Sequence, residues 1–326
     1  MKTNSIKQFA AAYIKSMRLY YAFVTGIAGW IGVAFYNFRA ENDLQTSRSI
    51  LILVMLFLSW GLNQIINDYL GLKEDKINAP NRPMVTGELN RAAAMAVTAA
   101  GLVLIMIITW FLNPWALIPA AAGFVLNVVY EYAKAVSLLG NIVFGVMISM
   151  CTVYGFLAAG EVLDPLFTTN RFTVVAMVAI LNGLMTYYTY FKDYRGDKLA
   201  GKKTFIVKYG LNAGRYAGIV GAFVSAIALL FFMTIDWLPA NTVLHMEEFV
   251  FCCVVTLFLQ CWTAYLYFSN PVGKNTYYGL SINIRACVAG QIALIAIFNG
   301  KLALYLLVIS YILIGLLFNQ YRDTRA

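Results

Sequence analysis

Apolar residues run along this chain in blocks of about twenty, separated by short polar loops. Blocks long enough to cross a bilayer lie near 17–37, 49–70, 91–112, 115–132, 138–160, 171–191, 215–237, 248–268, 278–298 and 301–320, since a spanning helix needs about 20 apolar residues. Only Asn299-Gly300-Lys301 separates the last two, so nine spans are an alternative to ten. Backbone groups inside hydrocarbon must be satisfied within their own segment, and blocks of this length do so as helices. The pattern predicts an all-α fold: a polytopic membrane bundle of nine to ten transmembrane helices around a central cavity. Residues 1–16 carry no cleavable signal pattern and lead directly into the first span. No polar stretch is long enough for a soluble domain, so 1–326 reads as a single transmembrane domain.

Two of the blocks end in carboxylates. One finishes Asn63-Gln-Ile-Ile-Asn67-Asp68-Tyr-Leu-Gly71-Leu-Lys73-Glu74-Asp75-Lys76, the other Lys192-Asp193-Tyr-Arg195-Gly-Asp197-Lys198. Ionised groups beside hydrocarbon are costly and usually functional. Asp68 and Asp75 are seven apart and Asp193 and Asp197 four apart, so on helices each pair lies on one face. One such cluster reads equally well as a solvated helix end. Two clusters on the same side of the membrane make an oxygen-rich site suited to a hard cation such as Mg²⁺ that also holds phosphate.

Charge supports that placement. The net charge of +9 would suggest nucleic acid in a soluble protein, but here the positives sort by loop. With the N-terminus in the cytoplasm, nineteen of the 24 Lys and Arg fall in cytoplasmic segments. Arg39, Arg48, Arg171 and Lys301 fall outside, and Arg285 lies within a span, facing the interior or snorkelling. This is the positive-inside pattern; it implies a bilayer partner, no nucleic acid, and both clusters on the cytoplasmic side. The five cysteines lie in spans without ligand spacing, and the lone His245 sits in an outer loop beside Glu247 and Glu248.

The arrangement repeats. Span 2 ends in the first cluster and the basic loop 73–91; span 6, four spans later, ends in the second cluster and the basic loop 192–215. This spacing suggests two pseudo-repeated bundles, roughly 1–135 and 136–326, facing a shared cavity. Pro80, Pro83 and Gly87 prevent the first loop from being one helix and leave it able to cap a site. Gly26, Gly29 and Gly32 let span 1 approach its neighbours closely.

A diphosphate site needs cations beside the metal. Most basic residues near the clusters are explained by topology alone. Those next to a cluster or alone at a helix end are the better candidates: Lys73, Arg82, Lys134 and Lys198. Above the second cluster Asn182, Thr186, Tyr190, Asp193 and Asp197 recur in steps of three or four, as a cavity wall would. With Asn63, one turn before Asn67, Asn182 and Tyr190 are candidate substrate-cavity residues. Tyr187, Tyr188 and Tyr190 suit either cation–π stabilisation or, more commonly, an interfacial aromatic belt.

With these residues in view, the chain resembles the UbiA superfamily of intramembrane prenyltransferases, whose signature is NDxxDxxxD on one helix and DxxxD on another. Asn67-Asp68-Tyr-Leu-Gly71-Leu-Lys-Glu-Asp75 resembles the first and Asp193-Tyr-Arg-Gly-Asp197 the second. The flanks Asp75-Lys-Ile-Asn-Ala-Pro-Asn-Arg82-Pro, Gly196-Asp197-Lys-Leu-Ala-Gly201-Lys-Lys-Thr204 and Tyr132-Ala-Lys134 are also similar to the family's. The resemblance implies a UbiA-type bundle with a cavity open to lipid. Two Mg²⁺ would hold an isoprenyl diphosphate that ionises to an allylic cation, captured by an aromatic or other lipophilic acceptor. It further implies metal ligation by Asn67, Asp75, Asp193 and Asp197, with Arg82, Lys134 and Lys198 on the diphosphate. Gly71 stands where the family carries its middle aspartate; Asp68, Glu74 and Asn63 are the nearest substitutes, and Asp68 joins the expected catalytic and metal set of Asp68, Asp75, Asp193 and Asp197. Two other readings compete. A terpene cyclase on the same scaffold would form product from the diphosphate alone, and a transporter or lipid binder would release no diphosphate.

Overall fold

The computed structural model describes residues 5–39, 46–161, 168–273 and 276–321. Of the basic residues assigned above to cytoplasmic segments, Lys2, Lys274, Arg322 and Arg325 lie outside them. The helices are α1 (Ile6–Met17), α2 (Ala22–Arg39), α3 (Thr46–Leu70), α4 (Leu72–Asn78), α5 (Pro83–Thr86), α6 (Arg91–Leu112), α7 (Leu117–Ala133), α8 (Leu139–Ala159), α9 (Thr169–Leu199), α10 (Phe205–Thr234), α11 (Met246–Ser269), α12 (Thr276–Ala296) and α13 (Gly300–Gln320). Among the described residues ten segments are long and apolar enough to span a membrane, α1 and α2 counting together as one. The all-α reading holds, with ten spans rather than nine.

Burial sorts these helices into an inside and a rim. Every residue of α12 from Gly279 to Ile284 is buried, and the helix packs on α2, α9, α11 and α13. By contrast α6, α10 and α13 turn Leu104, Phe111, Phe231 and Leu316 outward, the arrangement expected where lipid replaces water as solvent. Hydrophobic burial does not drive such helices together in lipid; close packing and hydrogen bonds do. A Cβ added at Gly32 would stand 2.0 Å from the Thr152 carbonyl oxygen of α8, so α2 and α8 meet backbone to backbone. Thr152 Oγ1 donates to the Ala28 carbonyl at 2.8 Å across the same seam. At the opposite end from the aspartates, Arg48 donates to the Leu112 and Ala158 carbonyls at 2.7 and 2.9 Å. It thereby satisfies the free carbonyls at the ends of α6 and α8.

Several boundaries differ from the expected ones, for local reasons. The first span is interrupted at Arg18, whose left-handed backbone (φ 48°, ψ 58°) ends α1 and starts a 3-10 turn. Helix α9 continues past 191 to Leu199, so the second aspartate pair is part of the spanning helix itself. The basic loop 192–215 is mostly helical: α10 already begins at Phe205, with a break at Gly210 (φ 87°). Between α9 and α10, Lys203 and Thr204 pair in parallel with Val136 and Ser137, which ties the end of α7 to the end of α9. Buried Thr204 then caps α10 through Val207 N at 3.4 Å. Arg285 is taken up by packing, with its Nε donating to the Tyr311 carbonyl at 3.0 Å and its guanidinium 4.2 Å from that ring.

Candidate active site

Gly71 sits at the joint between α3 and α4 with φ −89° and ψ 13°, close enough to helical for the register to carry across. The Gly71 amide bonds the Asn67 carbonyl at 2.8 Å, and the Asp75 amide bonds the Gly71 carbonyl at 3.0 Å. Asn67, Asp68, Gly71 and Asp75 therefore share one cavity wall, as seven-residue spacing requires. Opposite them Thr186, Thr189, Asp193 and Asp197 of α9 form the other wall. Asn78, at the end of α4, accepts from the Gly196 amide at 2.8 Å and donates to the Asp193 carbonyl at 3.2 Å. Both clusters thus line a single cavity, and a bond network fixes one against the other.

The carboxylates are held by the chain's own cations. Asp68 is buried and ion-paired to Arg18, with Arg82 Nη1 a further 3.4 Å away and Gln64 Nε2 at 3.2 Å. Arg82 also pairs with Asp75. Lys192 Nζ lies 2.5 Å from Asp193 Oδ1. Asp197 is buried and has no ion pair among the described residues. A second network lies beside the first: Glu131 of α7 binds Lys134 at 2.6 Å and Lys202 at 2.9 Å, and Lys202 reaches Glu74 at 3.1 Å. Burial by itself would lower the pKa of the Arg82 guanidinium, but Asp75, Asp68 and Asp193 raise it above its ordinary value. Burial likewise opposes the charge on Lys134, and the Glu131 carboxylate outweighs it, raising the ammonium pKa. Both remain cations inside the cavity.

Beyond this polar chamber lies an apolar one, between α3, α6, α7 and α8, lined by Met55, Ile105, Pro119, Ile148 and Tyr154 among others. The two share Trp60, Gln64, Asn67 and Phe144 as common wall. Asn63, Asn67 and Asn127 line the apolar chamber, and their side-chain oxygens have no hydrogen-bond donor among the described residues.

The structure brings Asn67, Asp68, Asp75, Asp193, Asp197, Arg82 and Lys134 to the polar chamber and Asn63 to the apolar one. It does not bring Lys73 or Lys198 there; both are exposed. Lys73 is two residues from Asp75 and points roughly 200° away around the helix, while Lys198 is turned about 100° from Asp197 and lies over Tyr194 at 5.8 Å. Asn182 is also elsewhere. It is fully buried under α12, donating to the Val178 carbonyl at 2.8 Å and accepting from Cys287 Sγ at 3.4 Å. The cavity wall on α9 therefore stops at Met185 and Thr186. Tyr190 faces α8 rather than the cavity; its hydroxyl occupies the space above Gly140, where a Cβ would come within 2.5 Å. Tyr187 and Tyr188 donate to the Gly214 and Gly218 carbonyls at 2.7 and 2.5 Å, so they secure α10.

The aspartate spacing does not point to Arg18, Asn78 or Glu131, and Lys202 is one of the loop cations that topology alone explains. Glu131 carried a usable signal: it is the one carboxylate in the apolar run of α7, placed at its end like the two aspartate clusters.

Among the described residues no three carboxylate, histidine or cysteine side chains are arranged to hold a metal as they stand. The donor set nevertheless fits a hard divalent cation. All the candidate ligands present oxygen, and among the described residues Asn67 Oδ1 has no hydrogen-bond donor and Asp197 makes no salt bridge.

Residues 22–278 match the UbiA prenyltransferase family. The chain is 27% identical over 307 residues to digeranylgeranylglyceryl phosphate synthase of Thermococcus sibiricus, covering 92% of this chain and 96% of that one. Its fold is similar to the apo structure of a UbiA homologue from Aeropyrum pernix, with TM-score 0.63, 17% identity, and 85% and 96% of the two chains covered. It is similar also to a UbiA homologue from Archaeoglobus fulgidus bound to DMAPP and Mg²⁺, with TM-score 0.58, 15% identity, and 87% and 99% covered. The chain is a multi-pass integral membrane enzyme, a prenyltransferase. It belongs to the UbiA prenyltransferase family.

Proposed function

We propose that the protein transfers an isoprenyl group from an isoprenyl diphosphate to a lipophilic acceptor within the membrane, using Mg²⁺, at a site facing the cytoplasm. The observation that carries this reading is the shared wall: a chamber of carboxylates and cations continues into an apolar one. An amphiphile with a charged head and a hydrocarbon tail fits that pair of spaces. Asn67, Asp68, Asp75, Asp193 and Asp197 would hold the metal, which when bound neutralises charge on the departing diphosphate. The A. fulgidus homologue bound to DMAPP and Mg²⁺ supports this ligand pair.

Arg82 and Lys134 bind diphosphate oxygens, with Arg18, Lys192 and Lys202 beside them in the cavity. The C1–O bond of the isoprenyl diphosphate breaks, and its electron pair leaves on the diphosphate. Positive charge develops on the allyl group near the rings of Trp60, Tyr130 and Phe144, whose faces favour it over water. The acceptor atom supplies an electron pair to C1 and loses its proton to solvent. The asparagine oxygens of the apolar chamber favour an acceptor with a hydroxyl to donate, which an acceptor-free cyclase would not need. The name of the T. sibiricus relative makes a glyceryl phosphate lipid the first acceptor to try.

The test is product analysis with purified protein, Mg²⁺, prenyl diphosphates from ten to twenty carbons, and glyceryl phosphate and aromatic acceptors. A prenylated acceptor with one diphosphate released per transfer is expected. Hydrocarbon or terpenol formed from the diphosphate alone would overturn the transferase reading in favour of the cyclase.

A further inference from the structure

Glu131 and Gly71 occupy one place in the cavity. A Cβ added at Gly71 would stand 3.7 Å from Glu131 Oε1, with nothing closer than the Asn67 carbonyl oxygen of its own helix turn at 3.0 Å. Gly71 has a negative φ that any residue adopts, so conformation does not demand glycine there. At position 71 the wall between Asp68 and Asp75 carries no side chain, and the carboxylate of a residue sixty positions away lies where one would point; Glu74, the other carboxylate of this stretch, also lines the chamber and is held by Lys202 at 3.1 Å. Glu131 is buried at 8% exposure, and both its oxygens are occupied by cations, Lys134 on one and Lys202 on the other. Those two lysines also line the chamber with the four aspartates.

We propose that Glu131 is an acidic ligand of the metal–diphosphate site, delivered from α7 into the space left open by Gly71. Lys134 and Lys202 neutralise it while the site is empty of substrate. A diphosphate offers those lysines stronger acceptor oxygens, and their transfer to it frees the Glu131 carboxylate to face the cation beside Asp68 and Asp75. A buried carboxylate stripped of both partners is costly, so the presence of a metal there becomes favourable when the diphosphate is present. The two ligands thereby bind cooperatively through one side chain. The inference rests on the reading of this cavity as a metal–diphosphate site and adds a residue to it.

The experiment measures Mn²⁺ bound by the full-length protein in detergent, from the loss of the free-ion paramagnetic signal, with and without inorganic diphosphate. Glu131→Gln keeps the side-chain shape and removes the charge. It is expected to weaken Mn²⁺ binding in the presence of diphosphate by about tenfold or more, the scale of a lost metal-site group. Gly71→Asp added to Glu131→Gln is expected to restore most of it, because the new carboxylate starts from the same place. Unchanged Mn²⁺ binding in Glu131→Gln overturns the proposal. So does a loss that Gly71→Asp fails to repair, since Glu131 would then act only by holding the lysines. Gly71→Asp alone provides a second reading that does not depend on the Glu131 variant folding: because Glu131 already fills that place, Mn²⁺ binding no tighter than in the unaltered protein supports the proposal, and binding tightened about tenfold or more, which would show the place unfilled, overturns it. Asp193→Asn is the control on the underlying site. If it binds Mn²⁺ as well as the unaltered protein, the two-cluster site itself fails, whatever Glu131 does.

Discussion

Asn78 grips the backbone of α9 at Gly196: its side-chain oxygen takes the Gly196 amide at 2.8 Å, and its nitrogen donates to the Asp193 carbonyl at 3.2 Å. One short polar side chain thus sets the distance between the two aspartate clusters. Gly196 permits the approach, since a Cβ there would fall 2.3 Å from Asn78 Nδ2. The cap formed by α4 and α5 is therefore part of the site geometry rather than a loose cover.

Removing this grip from either side should have the same result. In Gly196→Ala the Asn78 amide must swing away and both bonds break; in Asn78→Ala they are absent. Each loss of buried hydrogen bonds is worth about 1–3 kcal/mol, and turnover should fall because the clusters no longer hold their spacing. Residues that share one interaction do not add, so the double variant should be scarcely worse than either single one. Turnover and melting temperature measured over the cycle check this; fully additive losses would show that the two positions act separately.

Two acidic residues of the polar chamber should separate in stability. Asp68 neutralises buried Arg18 and Arg82, and breaking a buried pair from one side costs about 3–5 kcal/mol. Asp68→Asn should lower both the melting temperature and the activity. Asp197 is buried and makes no salt bridge among the described residues, with Lys134, Lys192 and Lys202 acting on it only from further off, so Asp197→Asn should abolish Mg²⁺-dependent turnover while leaving the fold at least as stable. Equal melting temperatures for the two variants would show that the ion pairs of Asp68 with Arg18 and Arg82 do not stabilise the fold.

Much of this site was legible from spacing alone. The seven-residue and four-residue aspartate intervals place Asp68, Asp75, Asp193 and Asp197 on facing walls, because helical register survives the Gly71 joint. What one dimension could not show was the rotation of individual side chains and the partners brought in from afar. Lys73 and Lys198 looked adjacent to the clusters, but one or two residues of helix turn a side chain out to water. Asn182 fitted the polar stripe until α12 covered it with Cys287. Arg18 meets Asp68 across 50 residues, from the left-handed break that ends α1. A pattern of apolar blocks contains no trace of that.

Sidedness rests on the eleven Lys and Arg in 73–91 and 192–215. Lys73, Lys198 and Lys301 are exposed, so single cysteines at these positions report it directly. Lys73→Cys and Lys198→Cys should react with an impermeant thiol reagent only from the cytoplasmic face, and Lys301→Cys only from the other. Labelling of Lys73→Cys from outside intact cells would reverse the orientation.

The far end of the apolar chamber should set the length of isoprenyl chain accepted. Tyr154 lines it together with Met55 and Ile105, and its hydroxyl is held by Thr109 at 3.1 Å, with Met55 Sδ at 3.8 Å. From Asn67 at the polar boundary to Met55 is twelve residues of α3, about 18 Å of helix. A ring fixed at that depth stops a growing tail, because packed interiors have no slack to admit another branched five-carbon unit. Tyr154→Ala should move preference toward longer diphosphates by at least about tenfold in the ratio of kcat/KM values, the scale on which an apolar pocket discriminates by size. Tyr154→Phe keeps the ring, loses only the hydroxyl contacts to Thr109 and Met55, and should leave the ratio where it was. A Tyr154→Ala enzyme with unaltered length preference would place the stop elsewhere along the chamber.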